Sequence, residues 1–103
     1  MLEEDRMPLS LISLSPSPQS DKKYVVKLKQ DSGRTKTIHF GAKGMDDFTK
    51  TGDVAQKERY LKRHSAREHW NNPLTAGFWA KNILWNKSTV SASLEDTKRR
   101  YGL

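Results

Sequence analysis

The sequence predicts an α+β fold: a small β-hairpin packed on about three α-helices, with an extended N-terminal arm. Three observations predict it. Apolar and polar residues alternate over residues 24–40, the two-residue period of half-buried strands. Stretches beginning near Asp53, Asn71 and Ser88 carry helix-capping residues followed by apolar residues at helical spacing. Residues 8–20, PLSLISLSPSPQS, show no helical period at all. At 103 residues the chain is long enough for one domain, divided here into an arm over 1–22 and a body over 23–103. Hydrophobic residues make up 34% of it, so the core must be small. Stability of about 5 kcal/mol, or dependence on a partner, is the corresponding expectation.

In the arm, Pro8, Pro16 and Pro18 each forbid a regular helix around them, and the Ser/Pro composition suits a solvated tail. Leu9, Leu11, Ile12 and Leu14 are more apolar than such a tail requires. The expectation is an arm laid on a neighbouring subunit through those four side chains.

The stretch YVVKLKQDSGRTKTIHF, residues 24–40, is the hairpin. Tyr24, Val26 and Leu28 alternate with Val25, Lys27 and Lys29. Gln30 to Gly33 supply the turn, with a glycine available for positive φ. The return strand sets Ile38 and Phe40 on one face and Thr37 and His39 on the other. An isolated hairpin is marginal in water, so its apolar face must rest on helices.

Residues 41–53, GAKGMDDFTKTGD, read as a loop. Gly41-x-x-Gly44 lacks the Gly-Lys-Ser/Thr spacing of a phosphate-cradling loop, which leaves a backbone-turn role. Asp46 and Asp47, adjacent acids in this loop, are expected in solvent.

Asp53 can cap a helix, with Gln56 completing a capping-box pair. Val54, Tyr60, Leu61 and His64 then share one stripe, and Arg59, Lys62, Arg63 and Arg67 lie opposite, the helix fading near Trp70. Asn71 or Asn72 can cap the next helix with Pro73 at its first position. Leu74, Phe78 and Trp85 share one of its faces, while Ala76, Trp79, Ile83 and Leu84 cover the others. A helix apolar nearly all round is buried, so TAGFWAKNILWNK is predicted to be the central element rather than a base-stacking platform. The last helix opens at Ser88 or Thr89. Val90, Leu94, Thr97 and Tyr101 form its packing stripe, Lys98, Arg99 and Arg100 favour its C-terminal dipole, and Gly102 ends it.

No catalytic constellation emerges. The chain has no cysteine, which removes disulfides, thiolate nucleophiles and Cys-based zinc sites. His64 and His69 stand five apart rather than the four that places two imidazoles over one metal, and His39 is on the hairpin. No serine sits in a nucleophile-elbow pattern. The expectation is a protein that is not an enzyme and holds no cofactor and no metal. No apolar run approaches the ~20 residues of a membrane span. The acidic start, Glu3, Glu4 and Asp5, is unlike a signal peptide, so a soluble intracellular product is expected.

Charge carries more information. The net charge is +7, yet residues 1–22 hold four acids and two bases, leaving +9 on residues 23–103. A cationic body suits an acidic partner: nucleic acid, an anionic membrane face or an acidic protein surface. Arg59, Lys62, Arg63 and Arg67 form the candidate basic face, with Lys98, Arg99 and Arg100 extending it. No helix-turn-helix, zinc-finger or RNA-motif signature accompanies them, so nucleic-acid binding there would be sequence-independent.

The ordered motifs HFGAKGMDDFT, KERYLKRH, TAGFWAKNILWNK and SLEDTKRRYG resemble small basic proteins of nucleocytoplasmic large DNA viruses: chloroviruses, iridoviruses and mimivirus relatives. The resemblance spans Lys36 to Leu103, and it departs from the family pattern at Ser88, where proline opens the final helix. It implies a virion component made in the host cytoplasm and transfers no catalytic residue. The implied role is a minor capsid protein cementing larger shell proteins through arm and basic body. The alternative is a sequence-independent nucleic-acid binder of genome-packaging or ribosomal type.

Overall fold

The computed structural model describes residues 9–67 and 70–103. The acidic start of the arm and His69 lie outside the described residues. The chain runs β1 (Leu9–Pro16), β2 (Lys22–Gln30), β3 (Thr35–Ala42), α1 (Phe48–Thr51), α2 (Val54–His64), α3 (Ala76–Trp79), a π-helical turn (Ala80–Leu84) and α4 (Val90–Tyr101). The fold is α+β, with a three-stranded antiparallel sheet in the order β1-β2-β3.

The third strand corrects the division into arm and body. Residues 9–16 do not leave the body; they pair with β2, from Leu9 opposite Gln30 to Pro16 opposite Tyr24. A β-bulge interrupts the register between Leu11 and Ser13, leaving Ile12 as the extra residue. That insertion hides the strand in the sequence. Leu11 faces Leu28 and Leu14 faces Val26, so two leucines three positions apart reach the same core face. Strict alternation would have put them on opposite faces. Ile12 is 51% exposed.

The hairpin forms with Val26, Leu28, Ile38 and Phe40 buried on one face, as the alternation requires. Its turn closes with Gln30 and Arg34 bonded through their backbones, and Gly33 takes φ +89°. On the outer face Lys27, Lys29, Thr35 and Thr37 are exposed, whereas Val25 is buried between the β1 and β3 partners Ser15 and His39. His39 is held at 2.7 Å from the Ser17 hydroxyl.

Three details of the helices differ from the expectation. The loop 41–53 contains a short helix, α1, because Asp47 caps it by accepting from the Thr49 and Lys50 amides. Asp47 is buried, paired with Lys23 of β2, and not solvated. Asp53 does cap α2 through the Gln56 amide, but Gln56 does not return to complete a box. The Thr51 hydroxyl intervenes, accepting from the Asp53 amide and bonding the Gln56 side chain. In addition α2 ends at His64, so Arg67 stands in the turn beyond it, and Val54 is 58% exposed.

The tryptophan-bearing segment is central, but not as one α-helix. Asn72 makes a side-chain turn with the Leu74 amide instead of capping, and Thr75 caps α3 through the Phe78 amide. Leu74 therefore precedes the helix and is 37% exposed. Phe78, Trp79 and Ile83 are fully buried in one cluster with Val26, Leu28, Ile38 and Phe40 of the sheet. The Trp79 indole donates to the Pro73 carbonyl at 2.7 Å, satisfying its one polar atom. Phe78 meets Trp79 and Tyr101 edge-on, at centroid distances of 5.1 and 4.8 Å. The interior is thus the fate of these rings, not a stacking platform. Trp85 is half-buried and lies flat on Tyr60 at 4.3 Å, which docks α2.

α4 matches its pattern: Thr89 caps it, Val90, Leu94 and Tyr101 pack on the core, Thr97 is buried, and Gly102 ends it at φ +68°.

Candidate polyanion-binding surface

The predicted basic face is present and outward. Arg59, Lys62 and Arg63 on α2 are exposed, as is Arg67 just after it. Among the described residues none of the four makes an ion pair. Glu58 is the one acid within α2, so the helix offers little to neutralise them. Arg63 leans over a cleft of about 480 Å³ lined also by Lys22, Lys23, Tyr60, His64 and Trp85. Like charges this close repel one another, which a bound polyanion relieves.

The C-terminal triplet divides. Lys98 is exposed. Arg99 pairs with Asp96 at 2.9 Å while 73% exposed, a contact that water screens heavily. Arg100 is structural: its Nε donates to Asp96 at 2.9 Å and one Nη to the Asn82 side-chain oxygen at 2.8 Å. It joins α4 to the π-turn rather than extending a free patch.

That junction is a buried polar network that single-sequence pattern reading does not reveal. A π-turn leaves backbone carbonyls without their usual α-helical donors. Here side chains supply the donors. Asn82, 1% exposed, gives its amide to the Phe78 carbonyl, and its own carbonyl accepts from Asn86 and Thr97. Ser93 bonds the Lys87 backbone. Asp96 is buried and accepts from Asn86, Arg99 and Arg100. The Asn86 hydrogen bond, with Arg100, holds its carboxyl below the usual carboxylate range against the opposing effect of burial.

Beside this network lies a second cleft, of about 350 Å³, between α2, the π-turn and α4. Lys57, Lys81, Lys87 and Arg100 line it. Lys57 donates to the Asn86 carbonyl at 2.7 Å and sits 4.9 Å over the Phe48 ring. Lys81 sits 4.9 Å over the Trp70 ring. Burial, and then the nearby Arg100 charge, push the Lys81 ammonium below its ordinary value. Sequence spacing does not suggest Lys57, Lys81 and Lys87, which only the tertiary fold assembles.

The four leucine-rich positions of the proposed arm distribute differently from expectation. Leu11 and Leu14 are committed to the chain's own core, and Ile12 is outward at the bulge. Leu9 flanks Pro73 and Leu74 in a shallow apolar cleft. An arm reaching a neighbour through all four is overturned by this pairing.

A family model matches residues 12–64, just over half of the chain. The chain belongs to the DUF5754 family. It is a family of unknown function, and its matched span in this chain runs from the β1 bulge to the end of α2. The DUF5754 span includes the Lys23–Asp47 pair and the exposed Arg59, Lys62 and Arg63. It excludes the π-turn and α4. Neither a curated protein nor a solved structure matches the chain. Among the described residues no helix is long and apolar enough to cross a membrane, and no group of three His, Cys, Asp or Glu is placed to hold a metal.

Proposed function

We propose that the protein is a non-enzymatic structural component of a large-DNA-virus particle, and that its cationic exterior holds a polyanionic partner. Nucleic acid bound without sequence preference is the partner that fits best. One observation carries the reading: Arg59, Lys62, Arg63 and Arg67 stand exposed without an ion pair among the described residues. Asp47 and Asp96 meanwhile are turned inward to structural pairs. The resemblance of residues 36–103 to large-DNA-virus proteins supports the virion setting.

A second reading, a minor capsid protein that clamps larger shell proteins, is favoured by Ile12, outward on the bulged edge strand, and Leu74, exposed at the apolar cleft. With Leu11 and Leu14 internal, that clamp works through the folded surface and not through a tether.

Titrating a mixed-sequence DNA duplex against salt separates the two. Four phosphate contacts give a slope of about −3.6 in log affinity against log salt. Replacing Arg59, Lys62, Arg63 and Arg67 together by glutamate is expected to abolish binding. No binding of the unaltered protein at low salt defeats the nucleic-acid reading and leaves the shell-protein one.

A further inference from the structure

We propose that the cleft between α2, the π-turn and α4 is a binding site for a phosphate group, held by Lys57, Lys81, Lys87 and Arg100. This site is separate from the exposed face of α2 and does not rest on the nucleic-acid reading.

Three features support it. The first is a local excess of cations. Four positive side chains line one cavity with a single carboxylate, Asp96, which Asn86, Arg99 and Arg100 already engage. The second is that Lys81 has no acidic partner among the described residues. It is part-buried above an aromatic ring, and both its burial and Arg100 oppose its charge. The cleft thus gathers cationic donors around one carboxylate that is already engaged, a balance that an anion would complete.

The third feature is rigidity. Lys57 is fixed by the Asn86 carbonyl, Arg100 by Asp96 and Asn82, and Lys81 stands on the π-turn itself. π-turns are frequent at functional sites. With Lys57 and Arg100 already held, these two cations lose little freedom on binding. The volume of about 350 Å³ and an open mouth admit a phosphate ester as readily as the free ion.

The ligand chemistry is therefore a phosphate oxyanion, from either a small phosphate ester or a nucleic-acid backbone. The experiment is an NMR titration of the full chain at constant chloride with three probes: inorganic phosphate, pyrophosphate and a mixed-sequence DNA duplex. A saturable shift of the signals of residues 81, 87 and 100 is expected. Lys81→Gln is expected to weaken the midpoint about tenfold, by removing one charge-assisted contact. Lys57→Gln provides a second, independent variant. Because Lys57, Lys87 and Arg100 line the same cleft as Lys81, with Asp96 as its one acid, bound phosphate is expected to raise the Lys81 titration toward its ordinary value. The glutamate variant of the α2 face is expected to keep the phosphate shift even as it loses DNA. Response to the small anions marks a small-molecule site, and response to DNA alone marks a backbone contact; either supports the proposal. It is overturned if no probe produces a saturable shift, or if neither Lys81→Gln nor Lys57→Gln moves the midpoint from that of the unaltered protein.

Discussion

The sheet half and the helical half of this molecule treat polar groups in opposite ways. In the β2–β3 hairpin Val26, Leu28, Ile38 and Phe40 face inward and Lys27, Lys29, Thr35 and Thr37 face water, so those four polar side chains are solvated where they stand. In the helical half, Asn82, Ser93, Asp96 and Thr97 are buried and satisfy one another and the π-turn. The lesson is that the same small core is bounded on one side by alternation and on the other by a hydrogen-bond network. The first tolerates substitution position by position. The second behaves as a unit, because removing one member strands the others in low dielectric.

Breaking the core that both halves share should have the largest effect. Trp79→Ala removes a fully buried ring and its bond to Pro73, and is expected to cost ~3–5 kcal/mol, enough to unfold a domain of this size at 37 °C. Urea denaturation followed by circular dichroism checks it. A loss below ~1 kcal/mol would mean the ring is not the core.

Next comes the network. Asp96→Ala takes one of two acceptors from each of Asn86 and Arg100, leaving their bonds to Asn82, and is expected to cost ~1–3 kcal/mol at neutral pH. Its pH dependence is distinctive. The folded carboxyl titrates below its ordinary value, so its contribution is fully present above the unfolded carboxylate range. It is lost as pH falls through the depressed folded value. The stability gap between the unaltered protein and Asp96→Ala should therefore narrow in acid, measured by denaturation over a pH series.

The smallest effect has the opposite sign. Lys81 is held charged against burial and Arg100, so Lys81→Met is expected to raise the melting temperature slightly at pH 7. The charged Lys81 penalty fades as pH rises from the depressed folded value toward the ordinary lysine range, so the variant's advantage should shrink there. Melting curves at neutral and alkaline pH check it. A destabilised variant at pH 7 would show that Lys81 serves the fold and not a ligand.

These two halves also differ in how far the sequence reveals them. Alternation in residues 24–40 identifies β2 and β3 and their buried face, and the spacing of Val90, Leu94, Thr97 and Tyr101 identifies α4. The caps at Asp53 and Thr89 follow from side-chain chemistry one turn long. What is lost is whatever depends on a non-local partner. β1 escapes because the Ile12 bulge breaks its period and three prolines mimic a tail. Asp47 reads as a solvated acid because its partner, Lys23, is on another element. The π-turn escapes because Asn82 acts through Arg100 and Thr97, fifteen or more positions away. Arg59, Lys62 and Arg63 are exposed as helical spacing implies, and Arg67 is exposed in the turn beyond α2, while the fold turns Arg100 to bracing instead.

This chain folds its N-terminal strand and its tryptophan-bearing segment into one body of its own, with exposed cations on its exterior. Amide hydrogen exchange on the isolated protein reads that folding residue by residue. Slow exchange of β1 amides such as Ser13 and Ser15 that pair with β2, together with those of residues 78–84, is the predicted result. Exchange at unprotected rates over residues 9–16, with residues 78–84 protected, would contradict it and return the N-terminal segment to a partner.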